Sequence, residues 1–445
     1  MTLCKLKIKK LYKHYDYEVE FNSDVTIIYG LNGSGKTTVL NILSHLTSGN
    51  IGGLFEYDFK SVELTYKNDN DKDCYLRVIS TLNKNRKKYI LNDNGITKEF
   101  TQGVYEFNNI FHAVDNERLY ALHPVLVDIK NRFKRVYLPL DRGLEFKFDD
   151  DHYPQRTRSR EYIDRKVIKY PINKVEEIIK AKYSETEYKI SLLNDEFRNS
   201  TLRSFSLQFA QQNITNMFTV IERTHDLVGT ICRIRDRYVQ VLNNFNLIKE
   251  DEIDTYNGIF DDISMHVYEF GRYIKENKYD DYYSLCLKLE SVYRLEKVTE
   301  LADELEEKKR DARRSIDIFL KAINDFFQNG SDDDKRLVIE GNREVYIINR
   351  YGDRITLDAL SSGEKQILIL FTYLVFEIND QNAIFMVDEP ELSLHLLWQR
   401  IFVSKIREIA PNVQIIFATH SPEIVAEYRD KLFRLTKRKD VENHA

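Results

Sequence analysis

Apolar residues in this chain follow three different spacings, each confined to its own stretch. Short continuous runs occur at Val25-Thr26-Ile27-Ile28-Tyr29, Ile384-Phe385-Met386-Val387 and Val413-Gln414-Ile415-Ile416-Phe417-Ala418. Runs of this length predict strands buried on both faces, as in a parallel sheet. Between residues 54 and 91 apolar and polar positions alternate, as in Ser61-Val62-Glu63-Leu64-Thr65-Tyr66 and Cys74-Tyr75-Leu76-Arg77-Val78-Ile79. That period predicts antiparallel strands with one wet face. From about Asn173 to Gln328 the spacing becomes helical: Leu301, Leu305, Ala312, Ile316, Phe319, Ile323 and Phe326 share a face. Glu304, Glu306 and Glu307 precede Lys308, Lys309 and Arg310 there, the favourable order for ion pairs along a helix. Arg336-Leu337-Val338-Ile339 and Val345-Tyr346-Ile347-Ile348 predict a hairpin.

Composition narrows this picture without redirecting it. The 445 residues allow two or three domains at about 150 residues each. A formal net charge of -5 argues against bulk affinity for nucleic acid, though it leaves room for a local basic patch. Cys4, Cys74, Cys232 and Cys286 are scattered and form no CxxC pair, so neither a zinc site nor a disulfide framework is indicated. No apolar run approaches the roughly 18 residues of a membrane span, and Met1-Thr2-Leu3-Cys4-Lys5 leads directly into a strand. The expected location is cytoplasmic, without a membrane partner.

Four short segments carry chemistry. Gly30-Leu31-Asn32-Gly33-Ser34-Gly35-Lys36-Thr37 lies between a predicted strand and a predicted helix. In that context it is a phosphate loop: glycines let backbone N–H groups converge on phosphate oxygens, Lys36 reaches the β- and γ-phosphates, and the Thr37 hydroxyl ligates Mg²⁺. Asn32, Gly33, Ser34, Gly35, Lys36, Thr37 and Thr38 are the expected ATP cradle. The run ending in Asp388-Glu389 delivers two carboxylates to the carboxyl edge of a sheet. Asp388 is expected to hold Mg²⁺, and Glu389 to act on the attacking water. The strand ending at Ala418 places His420 at the same edge, where it is expected to touch the γ-phosphate or the lytic water.

With Leu360-Ser361-Ser362-Gly363-Glu364 between them, these segments resemble the phosphate loop, signature loop, magnesium strand and switch histidine of ABC-type ATPases. Asp388-Glu389-Pro390-Glu391, Leu394-His395 and Thr419-His420-Ser421-Pro422 resemble the soluble branch that holds RecF, the chromosome-maintenance ATPases and the ATPases of bacterial anti-phage systems, rather than the transporter ATPases. The implied fold is an α/β P-loop NTPase of ABC type, with flanking antiparallel strands and an inserted helical domain. The resemblance implies slow, regulatory ATP hydrolysis in a homo-oligomer, with Ser361 and Gly363 meeting the γ-phosphate bound at Lys36 of a second subunit. Ser362 departs from the signature, which commonly has glycine there. The family's glutamine loop has no clear counterpart: Val136-Tyr137-Leu138-Pro139-Leu140-Asp141-Arg142 occupies the right position, and Arg142 is either a phosphate-site residue or a surface arginine.

About 320 residues separate Lys36 from Ser361, far more than a compact ABC-type domain needs by resemblance. The expected division is 1–145 for the first half of the ATPase domain, 146–329 for a helical insertion and 330–445 for the second half. Two runs of about 70 helical residues reach on the order of 100 Å at most. The mixed aromatics Phe205, Phe209, Tyr238, Phe245, Tyr268 and Phe270 favour a compact packed bundle over a sustained coiled coil. Arg156, Arg158, Arg160, Arg165, Lys166 and Lys169, against only Glu161 and Asp164, form either a site for an acidic phage protein or nucleic acid, or a solvated face.

The 25 or so residues after His420 leave no space for a fused nuclease, so effector chemistry is expected from a partner. The layout resembles the ATPases of two-gene anti-phage modules, the AriA type with a TOPRIM nuclease ahead of the PtuA type with an HNH nuclease. The alternative is a RecF-like ATPase of DNA repair that binds duplex DNA itself.

Overall fold

The computed structural model describes residues 1–83, 86–101, 123–139, 171–204, 227–245, 252–330, 334–341, 344–378, 383–425 and 427–435, with short pieces at 106–107, 110–111, 248–249 and 438–439. By internal contacts the chain divides into two compact units, Met1–Lys182 with Ser315–Ala445, and Tyr183–Arg314.

The first unit begins with β1 (Thr2–Leu11), β2 (Tyr15–Glu20) and β3 (Val25–Tyr29), then α1 (Lys36–Thr47) and the single turn α2 (Ile51–Leu54). Next come β4 (Ser61–Lys67), β5 (Asp73–Asn83), β6 (Arg86–Asp93) and β7 (Ile96–Thr101), the two-residue strands β8 (Glu106–Phe107) and β9 (Ile110–Phe111), α3 (Pro124–Arg132) and β10 (Arg135–Leu138). Two long helices, α4 (Pro171–Ser204) and α7 (Tyr279–Gly330), cross the unit boundary and enclose α5 (Leu227–Asn244) and α6 (Ile253–Lys275) in sequence. The chain returns through β11 (Arg336–Ile339), β12 (Val345–Ile348), β13 (Arg354–Ile355), α8 (Ser362–Phe376), β14 (Ile384–Asp388), α9 (Leu396–Ile409), β15 (Gln414–Thr419), α10 (Pro422–Val425), β16 (Leu432–Arg434) and β17 (Arg438–Lys439).

Five of these strands form a parallel sheet in the order β10-β14-β15-β3-β16. Alternate residues of its strands enter different cores, which explains their unbroken apolar runs. Ile28, Ile384, Met386, Ile416 and Ala418 join α1 and a seven-stranded antiparallel sheet, ordered β17-β2-β1-β4-β5-β6-β7. Ile27, Phe385, Val387, Ile415 and Phe417 join α8, α9, the first turns of α4 and the last turns of α7. α1 is thus sandwiched between two sheets, and its N-terminus is fixed at the end of β3.

In the second unit, Ile231, Ile234, Phe260, Ile263, Tyr273, Leu285, Leu289 and Val292 from α5, α6 and α7 make a separate core. Phe197 stacks on Phe245 with centroids 5.5 Å apart, and Tyr238 packs against the core. Tyr268 departs from the packed stripe expected of it: it is 78 % exposed. Phe205, Phe209, the basic stretch 156–169 and Arg142 lie outside the described residues, and of Phe270 only the backbone is described. No described helix is long and apolar enough to cross a membrane.

Candidate nucleotide site

Parallel pairing brings the motifs to one edge. Asp388 lies opposite Ala418, and Ala418 opposite Ile28, so the loops after β3, β14 and β15 all leave the sheet on the same side. This is the carboxyl edge, where open α/β sheets bind ligands.

The loop after β3 is shaped by backbone conformations that side chains disfavour. Gly33 has φ 77° and Gly35 φ 99°. At Gly35 there is also no space: a Cβ would sit 2.6 Å from the Tyr17 hydroxyl, which reaches over from β2 and donates to the Ser34 carbonyl at 3.0 Å. α1 has no side-chain cap, so its first N–H groups face the loop, and Thr37 and Thr38 are half-exposed in that turn. Asn32 and Gly33 are exposed at the rim, and Ser34 Oγ is buried without a hydrogen-bond partner among the described residues. Lys36 is only 4 % exposed; its ammonium donates to the Gly30 carbonyl at 2.9 Å and lies 3.3 Å from Glu389 Oε1. An uncapped helix start, two left-handed glycines and a buried ammonium fit a polyphosphate.

Asp388 ends β14 fully buried. It and Thr37 are the residues that would hold Mg²⁺, whose chemistry is to neutralise charge developing on the phosphate oxygens. Burial and the charge of Asp388 both push the Tyr137 hydroxyl above its ordinary pKa, and that hydroxyl donates to Asn41 Oδ1 of α1 at 2.6 Å. Glu389 has φ 46°, a left-handed conformation uncommon outside glycine, and its N–H donates to the Ala418 carbonyl at 2.7 Å. One carboxylate oxygen faces Lys36; the other is 2.5 Å from His420 Nδ1. Lys36, Glu389 and His420 therefore form one connected chain of charge-assisted contacts.

Three residues in this region carry no motif signal on their own. Glu391, with burial pushing its carboxyl pKa up, accepts hydrogen bonds from the turn that holds His420. Gln366 of α8 donates to the Pro390 carbonyl at 2.8 Å, and Gln399 of α9 donates to the Leu394 carbonyl at 2.9 Å. Each links the loop after Asp388 to a neighbouring helix. Only Glu391 had a sequence clue, as the second glutamate of Asp388-Glu389-Pro390-Glu391.

Ser361 caps α8 through a capping box. Its hydroxyl accepts from the Glu364 N–H at 3.3 Å, and Glu364 Oε2 accepts from the Ser361 N–H at 2.8 Å. Ser361 and Ser362 are exposed, but Gly363 is buried. A Cβ there would lie 2.4 Å from the Ser393 carbonyl oxygen. Gly363 thus meets a packing demand within its own chain, whatever it touches elsewhere.

A model described as an AAA ATPase domain, AAA_15, matches residues 1–425. The chain belongs to this family. It is an ATPase, and its relatives include retron and Septu proteins. One, named "Retron Vc95 probable ATPase" from Vibrio cholerae serotype O1 biovar El Tor, is 23 % identical over 98 % of this chain and 74 % of its own length. Septu protein PtuA of Bacillus thuringiensis is 33 % identical across 18 % of this chain and 23 % of its own. DNA repair protein RecN of Aquifex aeolicus is 21 % identical across 58 % and 50 % respectively.

Proposed function

We propose that this ATPase is a nucleotide-gated clamp: two copies close on ATP, and closure controls a partner nuclease of an anti-phage module. The observation that carries this reading is a contrast in exposure. Lys36, Asp388 and Glu389 are buried, whereas Ser361 and Ser362, in the segment that resembles a second phosphate loop, are exposed at the start of a fifteen-residue helix. An exposed phosphate loop suits a nucleotide held by another copy. The retron and Septu relatives support the defence setting.

In the cycle, Lys36 exchanges Glu389 for phosphate oxygens when ATP enters. Glu389, still held by His420, is then available to orient a water, while Asp388 and Thr37 hold Mg²⁺. Ser361 and Gly363 of the second copy complete the pocket, and hydrolysis releases them. Hydrolysis in this scheme is a slow, regulatory timer, and the nuclease, of TOPRIM or HNH type, is supplied in trans.

Mixing two inactive variants tests the shared pocket. Lys36→Ala loses nucleotide binding and Ser361→Arg loses the signature contact, so each alone is inactive. A 1:1 mixture should recover about a quarter of wild-type ATPase, because half of randomly formed pairs hold one intact pocket. No recovery, with both variants folded, refutes a shared pocket. The RecN relative favours a second reading, a DNA-binding repair ATPase. Stimulation by duplex DNA with a steep salt dependence would support it, whereas copurification with a nuclease supports the clamp.

A further inference from the structure

Glu391 stands two residues beyond Glu389, and its side chain is 6 % exposed. A single oxygen, Oε1, accepts three hydrogen bonds: from Thr419 Oγ1 at 2.5 Å, the His420 N–H at 2.9 Å and the Ser421 N–H at 3.0 Å. The donors are consecutive residues, the last of β15 and the first two of the turn that follows it. Packing alone does not ask for a carboxylate there, since an apolar side chain would fill the same space without the desolvation cost. A second clamp grips the same turn: the Ser421 hydroxyl donates to Gln399 Oε1 at 2.8 Å, while Gln399 Nε2 holds the Leu394 carbonyl at 2.9 Å. Between the two clamps sits His420, whose ring is half-exposed and whose Nδ1 nonetheless lies 2.5 Å from Glu389 Oε2. Burial does not hold the ring there: its backbone is fixed by the turn, and Glu391 Oε1 also lies 3.2 Å from its Nδ1.

We infer that Glu391 is a positioning residue for hydrolysis: by locking the 419–421 turn and flanking the imidazole it sets His420 against Glu389, and it acts through that histidine. The inference rests on the assignment of Glu389 and His420 under the proposed function. It also gives the second glutamate of the Asp388-Glu389-Pro390-Glu391 segment a task separate from that of the first.

Two measurements on the full chain test it. Hydrogen exchange without nucleotide reads the lock itself: Glu391→Ala should speed exchange of the His420 and Ser421 amides about tenfold or more, and Glu391→Gln, which keeps an acceptor oxygen, should restore protection. Unchanged protection in Glu391→Ala overturns the inference. Kinetics then read the route. Glu391→Ala should lower kcat about tenfold or more with KM for ATP held within about twofold, and the Glu391→Ala, His420→Ala double variant should be no slower than His420→Ala alone. A further multiplicative loss in the double variant overturns the inference. If His420→Ala alone has wild-type kcat while the exchange result holds, the failure belongs to the role proposed for the histidine, and the lock stands as structure only. Should Glu391→Ala not fold, Thr419→Val removes one of the three donors, and the same loss of kcat at constant KM is expected; wild-type kcat in that variant counts against the lock.

Discussion

Replacing Glu389 by glutamine should do more than stop hydrolysis: it should tighten nucleotide binding. Glu389 Oε1 is 3.3 Å from Lys36 Nζ, with side-chain exposures of 10 % and 4 %. At an effective dielectric of about 20 the attraction at that distance is roughly 5 kcal/mol, much of it offset by the cost of keeping both ions from water. A phosphate must displace this partner to reach the ammonium. In Glu389→Gln the ammonium keeps the Gly30 carbonyl but loses its counter-charge, a change that raises the energy of the empty state and not of the phosphate-bound one. If about 1–3 kcal/mol of the difference survives relaxation and water entry, the dissociation constant falls about 5- to 150-fold. ADP is the right ligand, because neither protein hydrolyses it and both are compared in one state. Isothermal titration should show the tighter constant, and the rise in melting temperature on saturation with ADP should be larger for the variant. Loss of ATPase with an unchanged or weaker ADP constant would refute the idea that Glu389 competes for Lys36.

Three further outcomes follow from single contacts. Gly363→Ala places a Cβ 2.4 Å from the Ser393 carbonyl, so it should destabilise the isolated chain by about 1–3 kcal/mol; an unchanged denaturation midpoint at low protein concentration would contradict the packing demand. Burial alone would raise the Glu364 carboxyl pKa, but Lys335 at 2.9 Å and the Ser361 N–H and hydroxyl outweigh it and hold it below the ordinary value. A depressed folded pKa means stability that is present above the unfolded value of about 4.3 and lost as pH falls through the folded one. Glu364→Gln should therefore be less stable than wild type at pH 7, with the gap closing below about pH 4; a gap constant with pH in thermal melts would dissociate the carboxylate from that contact. Tyr17→Phe removes one hydrogen bond to the Ser34 carbonyl, worth about 1 kcal/mol, and should raise KM for ATP several-fold at unchanged kcat. A changed kcat at constant KM would show that Tyr17 serves something other than the loop.

The sheet and its phosphate loop were legible because independent requirements coincide there. Val25–Tyr29 is buried along nearly its whole length with Thr26 its one small polar residue, the glycines fall where left-handed backbone is needed, and Lys36 opens an apolar helix. β14 and β15 announce themselves by runs whose alternate residues feed two cores. The end of the antiparallel sheet was harder to see. Asn94-Gly95, with φ 49° and 96°, joins β6 to β7, but β7 exposes every residue except Phe100, so hydrophobic alternation fades past Leu91 although the turn signal persists. The inner supports of the site were not legible for another reason. Glu391 meets Thr419 only through the pairing of β14 with β15, and Gln366 meets Pro390 only through the packing of α8; no local pattern encodes a contact between residues so far apart in sequence.

The left-handed backbone at Glu389 sets two kinds of fitness against each other. A side chain in that conformation costs on the order of 1–2 kcal/mol relative to glycine. Among the uncharged residues at position 389, a survey scored once for survival of heat and once for turnover of ATP should therefore put glycine at the head of the first ranking, while no uncharged residue approaches glutamate in the second. The bend that costs this chain some durability is also what turns the carboxylate back beneath the end of β15, between an ammonium and an imidazole.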